Sequence, residues 1–202
     1  MPGRRLTRQE RHVGDDGASA LLVVDMLNPY EHPEADRLAG RVADALPGVQ
    51  ALLLRAVERE LPVVYVNDNY GDWNSSSEEL TRQAVDGAHP ELVEPVLPAE
   101  GQSFVVKARH STFYETPLEY LLDQMGVGRL LFSGQVTEQC ILYSALDAYV
   151  RHFDVVVVTD AVAAIYDDLG GAALRMMERN MGADLARAEE VDLGGSLRSS
   201  AG

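Results

Sequence analysis

Three side chains in this sequence have the chemical types needed for nucleophilic attack on a carbonyl group. Cys140 lies in SGQVTEQCIL and is the only cysteine, Lys107 is the only lysine among 17 basic residues, and Asp25 closes the apolar run LLVVD. A thiolate is a strong nucleophile, a carboxylate can take the thiol proton, and an ammonium can stabilise both negative charges. These types therefore suit a reaction through a covalent cysteine intermediate.

Each of the three has an ordinary structural explanation when taken alone. A single cysteine early in a helix is more often buried and inert, and strand-end aspartates and lysines often cap turns or face solvent. Their common position is the stronger signal, because each follows or closes a predicted strand, and ligands bind beyond the carboxyl ends of parallel strands. We therefore expect Asp25, Lys107 and Cys140 to share one crevice. We also expect Lys107 and a helix N-terminus capped by Thr137 to lower the pKa of the Cys140 thiol.

The elements that would position these residues follow a strand–helix alternation, which is typical of a parallel α/β sheet. Apolar runs cover residues 20–26, 62–68, 103–108, 129–134 and 154–160, with a weaker sixth run at 183–191. Helical spacing covers 36–60, 137–151 and 167–181. Pro47 predicts the start of a second helical segment within the first of these ranges. Thr116 and Pro117 predict the start of another helix, which Gly126 would end.

Length and charge limit the classes of partner. The chain has 202 residues, of which 46% are hydrophobic, and a net charge of −15. The acidic excess disfavours nucleic acid and anionic membranes, and no apolar run reaches the roughly 18 residues of a membrane span. The N-terminus lacks the apolar segment of a secretory signal, and a single cysteine suits a reducing compartment. These features predict a cytoplasmic protein with a small-molecule substrate and no nucleic-acid or membrane partner.

Three blocks of the sequence resemble the isochorismatase-like superfamily of cysteine hydrolases. They are ALLVVDMLNPY, VVKARHSTFYETPLEYLL and LLFSGQVTEQCILYSALDAYVRHFDVVVVTDAVAA. The resemblance implies an α/β fold with three α/β/α layers, Rossmann-like, around a six-stranded parallel sheet of order 3-2-1-4-5-6. It places the hydrolase domain at residues 19–191, between an N-terminal tail at 1–18 and a C-terminal tail at 192–202. It also implies a homodimer or homotetramer.

The same resemblance implies roles for particular residues. Asp25, Lys107 and Cys140 match the superfamily's catalytic triad. A cis peptide bond of the superfamily would fall at Gln135–Val136, and it would direct the backbone N–H groups of Val136 and Cys140 towards an oxyanion. The segment LNPY after Asp25 departs from the usual glutamine-asparagine-acidic-aromatic run, which affects the pocket floor rather than the triad.

A second departure concerns metal binding. Nicotinamidases of this superfamily carry an Asp-x-His motif and a further histidine that bind a zinc-like metal. Here the segment reads VNDNYGDWNSS, with Asn69 where the first histidine would fall. His89 alone cannot form a site, because three or more protein ligands are usual. We therefore expect no metal and no cofactor.

Several side chains that follow the predicted strands are candidates for a substrate pocket: Tyr30, Trp73, Phe113, Tyr114 and Arg109. Trp73 is the only tryptophan and lies in a polar stretch where core packing would be unusual. Phe113 and Tyr114 are equally suited to pack the helix that follows. Arg109 could bind a substrate carboxylate, although a surface salt bridge is the commoner role.

The prediction is a hydrolase that cleaves an amide or carbamoyl C–N bond of a small molecule through a thioester on Cys140. Asp25 would take the thiol proton and return it to the leaving amine, and Lys107 would hold the charges in place. One alternative is an isochorismatase-type vinyl ether hydrolase, which would use Asp25 as an acid without the thiol. Another is a binding protein that kept the fold. A redox sensor would need a resolving cysteine from a second chain.

Overall fold

The computed structural model describes residues 18–194, and within this range six strands form one parallel sheet of order β3-β2-β1-β4-β5-β6. The strands are β1 (Ala18–Val24), β2 (Val63–Asp68), β3 (Ser103–Lys107), β4 (Val127–Gln135), β5 (Asp154–Ala163) and β6 (Asp184–Ala186). The helices are α1 (Ala35–Glu58), α2 (Ser77–Val85), α3 (Pro90–Val93), α4 (Leu118–Met125), α5 (Leu142–Val150) and α6 (Asp167–Met181). The predicted fold class and strand order are confirmed.

Helices cover both faces of the sheet. In β1, Leu21 and Val23 belong to the core shared with α1, whereas Leu22 and Val24 belong to the core shared with α4, α5 and α6. Because both faces are buried, the central strands are apolar at nearly every position instead of alternating. This burial holds the strand ends, and hence the residues that follow them, in fixed relative positions.

The first long helix corrects the prediction for Pro47. Instead of opening a second segment, Pro47 lies inside the continuous helix α1. A proline inside a helix removes one hydrogen bond and costs about 3 kcal/mol. The helix continues because its apolar face is buried on both sides of the proline, at Leu38 and Val42 before it and at Val49 and Leu52 after it.

Two glycines of α1 offer a test of how tightly this helix packs on the sheet. A Cβ atom added at Gly48 would lie 2.1 Å from the backbone oxygen of Asp160, whereas one added at Gly40 would have nothing within 4 Å. We expect Gly48→Ala to lower the free energy of unfolding by about 1–3 kcal/mol. Gly40→Ala should raise it by up to about 1 kcal/mol, because alanine favours helix. Urea denaturation measures both, and equal responses of the two variants would contradict the close approach.

Most of the remaining boundaries are close to the predicted ones, but the sixth run is shorter: β6 ends at Ala186 instead of reaching residue 191, because the chain turns there and the Val191 N–H donates to the Arg187 carbonyl. Helix α4 begins at Leu118, one residue later than expected, with Pro117 at its N-cap and Gly126 ending it at φ 69°. The predicted tails lie mostly outside the described residues. At their inner edges Ala18 begins β1 and Leu193 is buried in the core. No helix among residues 18–194 is long and apolar enough to cross a membrane.

Candidate active site

The carboxyl ends of β1, β3 and β4 bring the three predicted residues together. Asp25 follows the last residue of β1, and Lys107 is the last residue of β3. Cys140 lies in a π-helical turn, Thr137–Ile141, that connects β4 to α5. The Lys107 Nζ atom lies 2.9 Å from Asp25 Oδ2 and 3.6 Å from Cys140 Sγ. Residues far apart in the sequence therefore form one cluster at the edge of the sheet.

A second carboxylate belongs to this cluster, and the sequence analysis missed it. Asp68 ends β2 and is the register partner of Lys107 on β3. Its Oδ2 lies 3.2 Å from Lys107 Nζ, and its backbone N–H donates a 2.7 Å hydrogen bond to Asp25 Oδ1. The strand-end position that singled out Asp25 applies equally to the final aspartate of PVVYVND, so the signal was present.

Burial makes the charges of the cluster depend on one another. The Lys107 side chain is fully buried, and that of Asp25 is only 9% exposed. Burial raises the pKa of the Asp25 carboxyl group, and the positive charge of Lys107 offsets part of this increase. Burial alone would lower the pKa of Lys107, but the negative charges around it, first that of Asp25, outweigh the effect and raise it. The ammonium therefore stays charged across the neutral range.

The pKa of the Cys140 thiol is raised, so the expected lowering is wrong for the resting site. Burial is the largest cause, and the negative charge of Asp25 adds to it, while Lys107 acts in the opposite direction. Thr137 supplies no cap, because Val136 occupies the N-cap position and the turn has no side-chain cap hydrogen bond. The helix terminus and one ammonium therefore do not lower the pKa of a thiol that is buried beside carboxylates.

This arrangement favours transfer of the thiol proton within the cluster over its loss to water. Two carboxylates, Asp25 and Asp68, face one ammonium, so the cluster carries one net negative charge while the thiol is neutral. Release of the proton to solvent would add a second buried negative charge. Transfer to Asp25, which shares the Lys107 ammonium with the sulfur, leaves the total charge unchanged. The thiolate formed in this way lies beside Lys107.

Buried amide side chains hold the backbone around Asp25. The Gln135 Nε2 group donates a 2.5 Å hydrogen bond to the Asp25 carbonyl oxygen. The Asn67 side chain accepts a 3.0 Å hydrogen bond from the Leu27 N–H and donates one of the same length to the Leu27 carbonyl. Asp25 itself has a φ of 53°, so its backbone conformation depends on such support. Neither amide was singled out from the sequence.

The peptide bond between Gln135 and Val136 is cis, as the resemblance implied. The Val136 backbone favours the ionised form of the Cys140 thiol and so opposes the increase in its pKa. The assignment of the Val136 and Cys140 N–H groups as oxyanion donors stays a prediction.

The pocket candidates lie in different surroundings. Tyr30 is buried, with its hydroxyl 3.5 Å from Gln135 Nε2. Phe113 is buried in the core beside Phe153. Trp73 and Tyr114 are exposed by 79% and 56%. Arg109 is exposed, and its guanidinium donates to the neighbouring carbonyl of residue 108. Tyr30 is therefore the candidate with a contact to a residue that supports the cluster.

Two further side chains border the cluster and were not assigned from the sequence. The His110 Nδ1 atom lies 3.8 Å from Cys140 Sγ, and its ring contacts that of Tyr143 at 5.5 Å between centroids. The Tyr70 hydroxyl donates a 3.0 Å hydrogen bond to the Leu27 carbonyl, while its ring remains half-exposed. Burial of the hydroxyl group is the largest cause that raises the pKa of the Tyr70 phenol, and the negative charge of Asp25 adds to it. Tyr70 and His110 are thus exposed side chains that border the cluster.

The residues considered for a metal have other partners. The Asn69 side chain accepts a hydrogen bond from the Gly71 N–H at 3.0 Å. The His89 Nδ1 atom lies 2.9 Å from Glu91, and its ring meets the edge of Tyr30. Within residues 18–194, no three or more histidine, cysteine, aspartate or glutamate side chains are arranged to hold a metal ion.

Comparison with known proteins agrees with this fold. YaaI of Bacillus subtilis, an isochorismatase family protein, is 30% identical over 172 residues, which cover 85% of this chain and 95% of YaaI. Ureidoacrylate amidohydrolase RutB of Methylobacterium radiotolerans is 29% identical, with 93% of this chain and 84% of RutB covered. The crystal structure of N-carbamoylsarcosine amidase from Thermoplasma acidophilum matches with a TM-score of 0.67 and 27% identity, over 87% of this chain and 99% of that one. The model of the isochorismatase domain matches residues 19–190. The chain therefore belongs to the isochorismatase family of hydrolases.

Proposed function

We propose that this protein is a cysteine amidohydrolase that cleaves a non-peptide C–N bond, in an amide or carbamoyl group, of a small molecule. The observation that carries the proposal is the position of Cys140 Sγ, 3.6 Å from an ammonium that is itself 2.9 Å from the Asp25 carboxylate. The ammonium thus contacts both the nucleophile and the proton acceptor. The names of the family members RutB and N-carbamoylsarcosine amidase, an amidohydrolase and an amidase, support the same class of bond.

The first half of the reaction forms a thioester. Asp25 takes the thiol proton, and the Cys140 sulfur forms a bond to the carbonyl carbon, whose oxygen becomes the oxyanion. Asp25 then gives the proton to the leaving nitrogen as the C–N bond breaks, and ammonia or an amine departs. Lys107 faces the thiolate and the carboxylate throughout, so each proton transfer takes place beside a fixed positive charge.

The second half restores the enzyme. Asp25 is ionised again once the amine has left, so it can accept a proton from water while the water oxygen bonds to the thioester carbon. The C–S bond breaks, and the sulfur recovers its proton from Asp25. One water is consumed and one acid and one amine are produced. A vinyl ether hydrolase would not need the sulfur in contact with Lys107, which favours the amide reaction.

The test is a screen of small amides, ureido compounds and isochorismate with the wild-type protein. We expect release of ammonia or an amine from at least one amide or ureido compound. Acid quenching during turnover should trap an acyl group on Cys140, detected as a mass increase of the intact protein. Release of pyruvate from isochorismate with no acyl adduct would instead support the ether hydrolase.

The remaining expectations are part of the same proposal. The substrate is a small molecule, the chain acts in the cytoplasm, and it assembles as a homodimer or homotetramer. Self-association is supported by the outer side of α5, where Tyr143, Leu146, Tyr149 and Val150 are each at least 45% exposed. Exposed apolar groups in such number on one helix commonly mark contacts with another protein chain.

A further inference from the structure

The Lys107 ammonium has no hydrogen left to offer a substrate. An ammonium has three N–H donors, and those of Lys107 face Asp25 Oδ2, Asp68 Oδ2 and Cys140 Sγ. Its side chain is fully buried, so no further group can reach it without displacing one of these partners. The strongest cation of the site is therefore engaged within the protein, and it is outnumbered by the two carboxylates.

Asp68 is the most exposed charged side chain of the cluster formed by Asp25, Asp68 and Lys107. Its side chain is 28% exposed, whereas that of Asp25 is 9% exposed and that of Lys107 is fully buried. One oxygen contacts Lys107, and the other accepts a 2.8 Å hydrogen bond from the Tyr70 N–H. A carboxylate has about four acceptor positions, so Asp68 retains positions for further donors. Its orientation is fixed, because it is a β2 residue paired in register with β3.

The other charged and titratable side chains near the cluster do not offset the negative charge of Asp68. Arg109 is exposed and bound to its neighbour's carbonyl, so water and salt screen its charge. His110, beside the sulfur, is on the exposed side and lies against the ring of Tyr143. The charged side chains of the cluster itself are Asp25, Asp68 and Lys107, of which Lys107 contacts the sulfur and both carboxylates.

We infer that the crevice selects amides whose group beside the scissile carbonyl is neutral or cationic, with Asp68 accepting N–H donors from that group. A carboxylate at the same place is disfavoured, because it would face Asp68 without a free cation to pair with. This inference rests on the proposed amidohydrolase function and adds the charge class of its substrate. Asp68 acts as a binding residue that also fixes Lys107.

Charge-selective thiol reagents test the inference without knowledge of the substrate. Cys140 is the only cysteine, so methanethiosulfonates report on this site alone. The thiolate attacks the reagent's sulfenyl sulfur, a disulfide forms, and sulfinate leaves. Rates at pH 8 are compared for methyl, trimethylammonium-ethyl and sulfonatoethyl reagents, each divided by its rate with 2-mercaptoethanol. We expect the normalised rate of the trimethylammonium-ethyl reagent to exceed that of the sulfonatoethyl reagent by about tenfold or more, which is the effect of one unpaired charge nearby.

Asp68→Asn is the decisive variant, because the whole protein is acidic and would attract cations weakly in any case. The variant should reduce the cation-to-anion ratio by about tenfold. Asp72→Asn removes an exposed carboxylate four residues along, which accepts a hydrogen bond from the Asn74 N–H in its own turn, and should leave the ratio unchanged. Equal ratios in wild type and Asp68→Asn would overturn the inference. A thiol inert to all three reagents would overturn it as well, because it assumes an open crevice.

Matched amides separate this inference from the proposed function. The pairs are oxamide with oxamate and succinamide with succinamate, assayed for ammonia release at low salt. The wild-type protein should release ammonia faster from each diamide than from the matched carboxylate. Asp68→Asn should reduce this difference in rate, and Asp72→Asn should leave it unchanged. Hydrolysis of both members at equal rates would refute the charge selection but support the amidohydrolase. Absence of hydrolysis throughout the wider screen would refute the amidohydrolase, and the reagent ratios would still decide whether the crevice selects cations.

Discussion

Cys140→Ala is expected to abolish amide hydrolysis, lowering kcat by a factor on the order of 10⁴ or more. The sulfur forms the covalent intermediate of the proposed reaction, and it lies 3.6 Å from the Lys107 Nζ atom, which is 2.9 Å from Asp25 Oδ2. The loss should appear in kcat rather than in KM, because the sulfur acts in the reaction more than in binding. Ammonia release under saturating substrate measures it.

The folded structure should persist in this variant, because Cys140 is 8% exposed and alanine occupies less space than cysteine. Ile141→Val is the matched control, since Ile141 is the adjacent buried residue of the same turn and its truncation costs only about 0.5–1.5 kcal/mol. It should retain activity. If Cys140→Ala retains most of the wild-type activity, the thioester route is excluded, and an acid reaction through Asp25 becomes the better account.

The sequence pattern was sufficient to predict a parallel α/β sheet, because strands buried on both faces are apolar at nearly every position, whereas the strand order followed from the resemblance to the superfamily. It was also sufficient to place Asp25, Lys107 and Cys140 at one edge, because strand ends of a parallel sheet point the same way. Asp68 also ends a strand but was not predicted as a site residue, because its segment was interpreted only with respect to metal binding. Its pairing with Lys107 depends on register, which the apolar pattern of β2 and β3 does not specify.

The thiol pKa could not be predicted from types and spacing, because its direction depends on how many charges are buried with it. One ammonium near a thiol lowers its pKa, but one ammonium shared by two carboxylates and a sulfur in a buried site does not. Thr137 likewise fits the pattern of a cap, yet the chain enters the helix through a π-helical turn that begins at Thr137 itself. The sequence was sufficient to identify Asp25, Lys107 and Cys140 but not Asp68, and the resting protonation depends on how all four side chains are placed and buried.

Lys107→Met tests the electrostatic role of the lysine most directly, because methionine has a similar shape without the charge. Its Nζ atom is the common partner of Asp25 and Asp68, and its removal leaves two carboxylates close together without a cation. Breaking a buried ion pair in this way typically costs about 3–5 kcal/mol. We expect the free energy of unfolding to fall by that amount at pH 8. Activity should fall by about 10²-fold or more, because the thiolate loses its adjacent cation.

The loss of stability in Lys107→Met should depend on pH. In the wild type the pKa of Lys107 is raised, so its contribution is complete below the ordinary lysine value and disappears only as the pH rises through the higher folded value. In the variant the pKa of Asp25, already raised by burial, increases further once Lys107 no longer opposes it. A carboxyl group with a raised folded pKa loses its stabilising contribution as the pH rises through that value. Urea denaturation should therefore find a smaller difference from wild type at pH 5 than at pH 8.

The double variant Lys107→Met with Asp68→Asn identifies the cause of that loss. Removing one of the two unpaired carboxylates should recover part of the stability at pH 8, because the remaining Asp25 no longer faces a second negative charge. Asp72→Asn in the same background should recover none, since its carboxylate is exposed and accepts a hydrogen bond from its own turn, at the Asn74 N–H. If Lys107→Met is as stable as wild type at pH 8, the buried ion cluster does not hold the strand ends together. The same result would remove the electrostatic basis for proton transfer from Cys140 to Asp25.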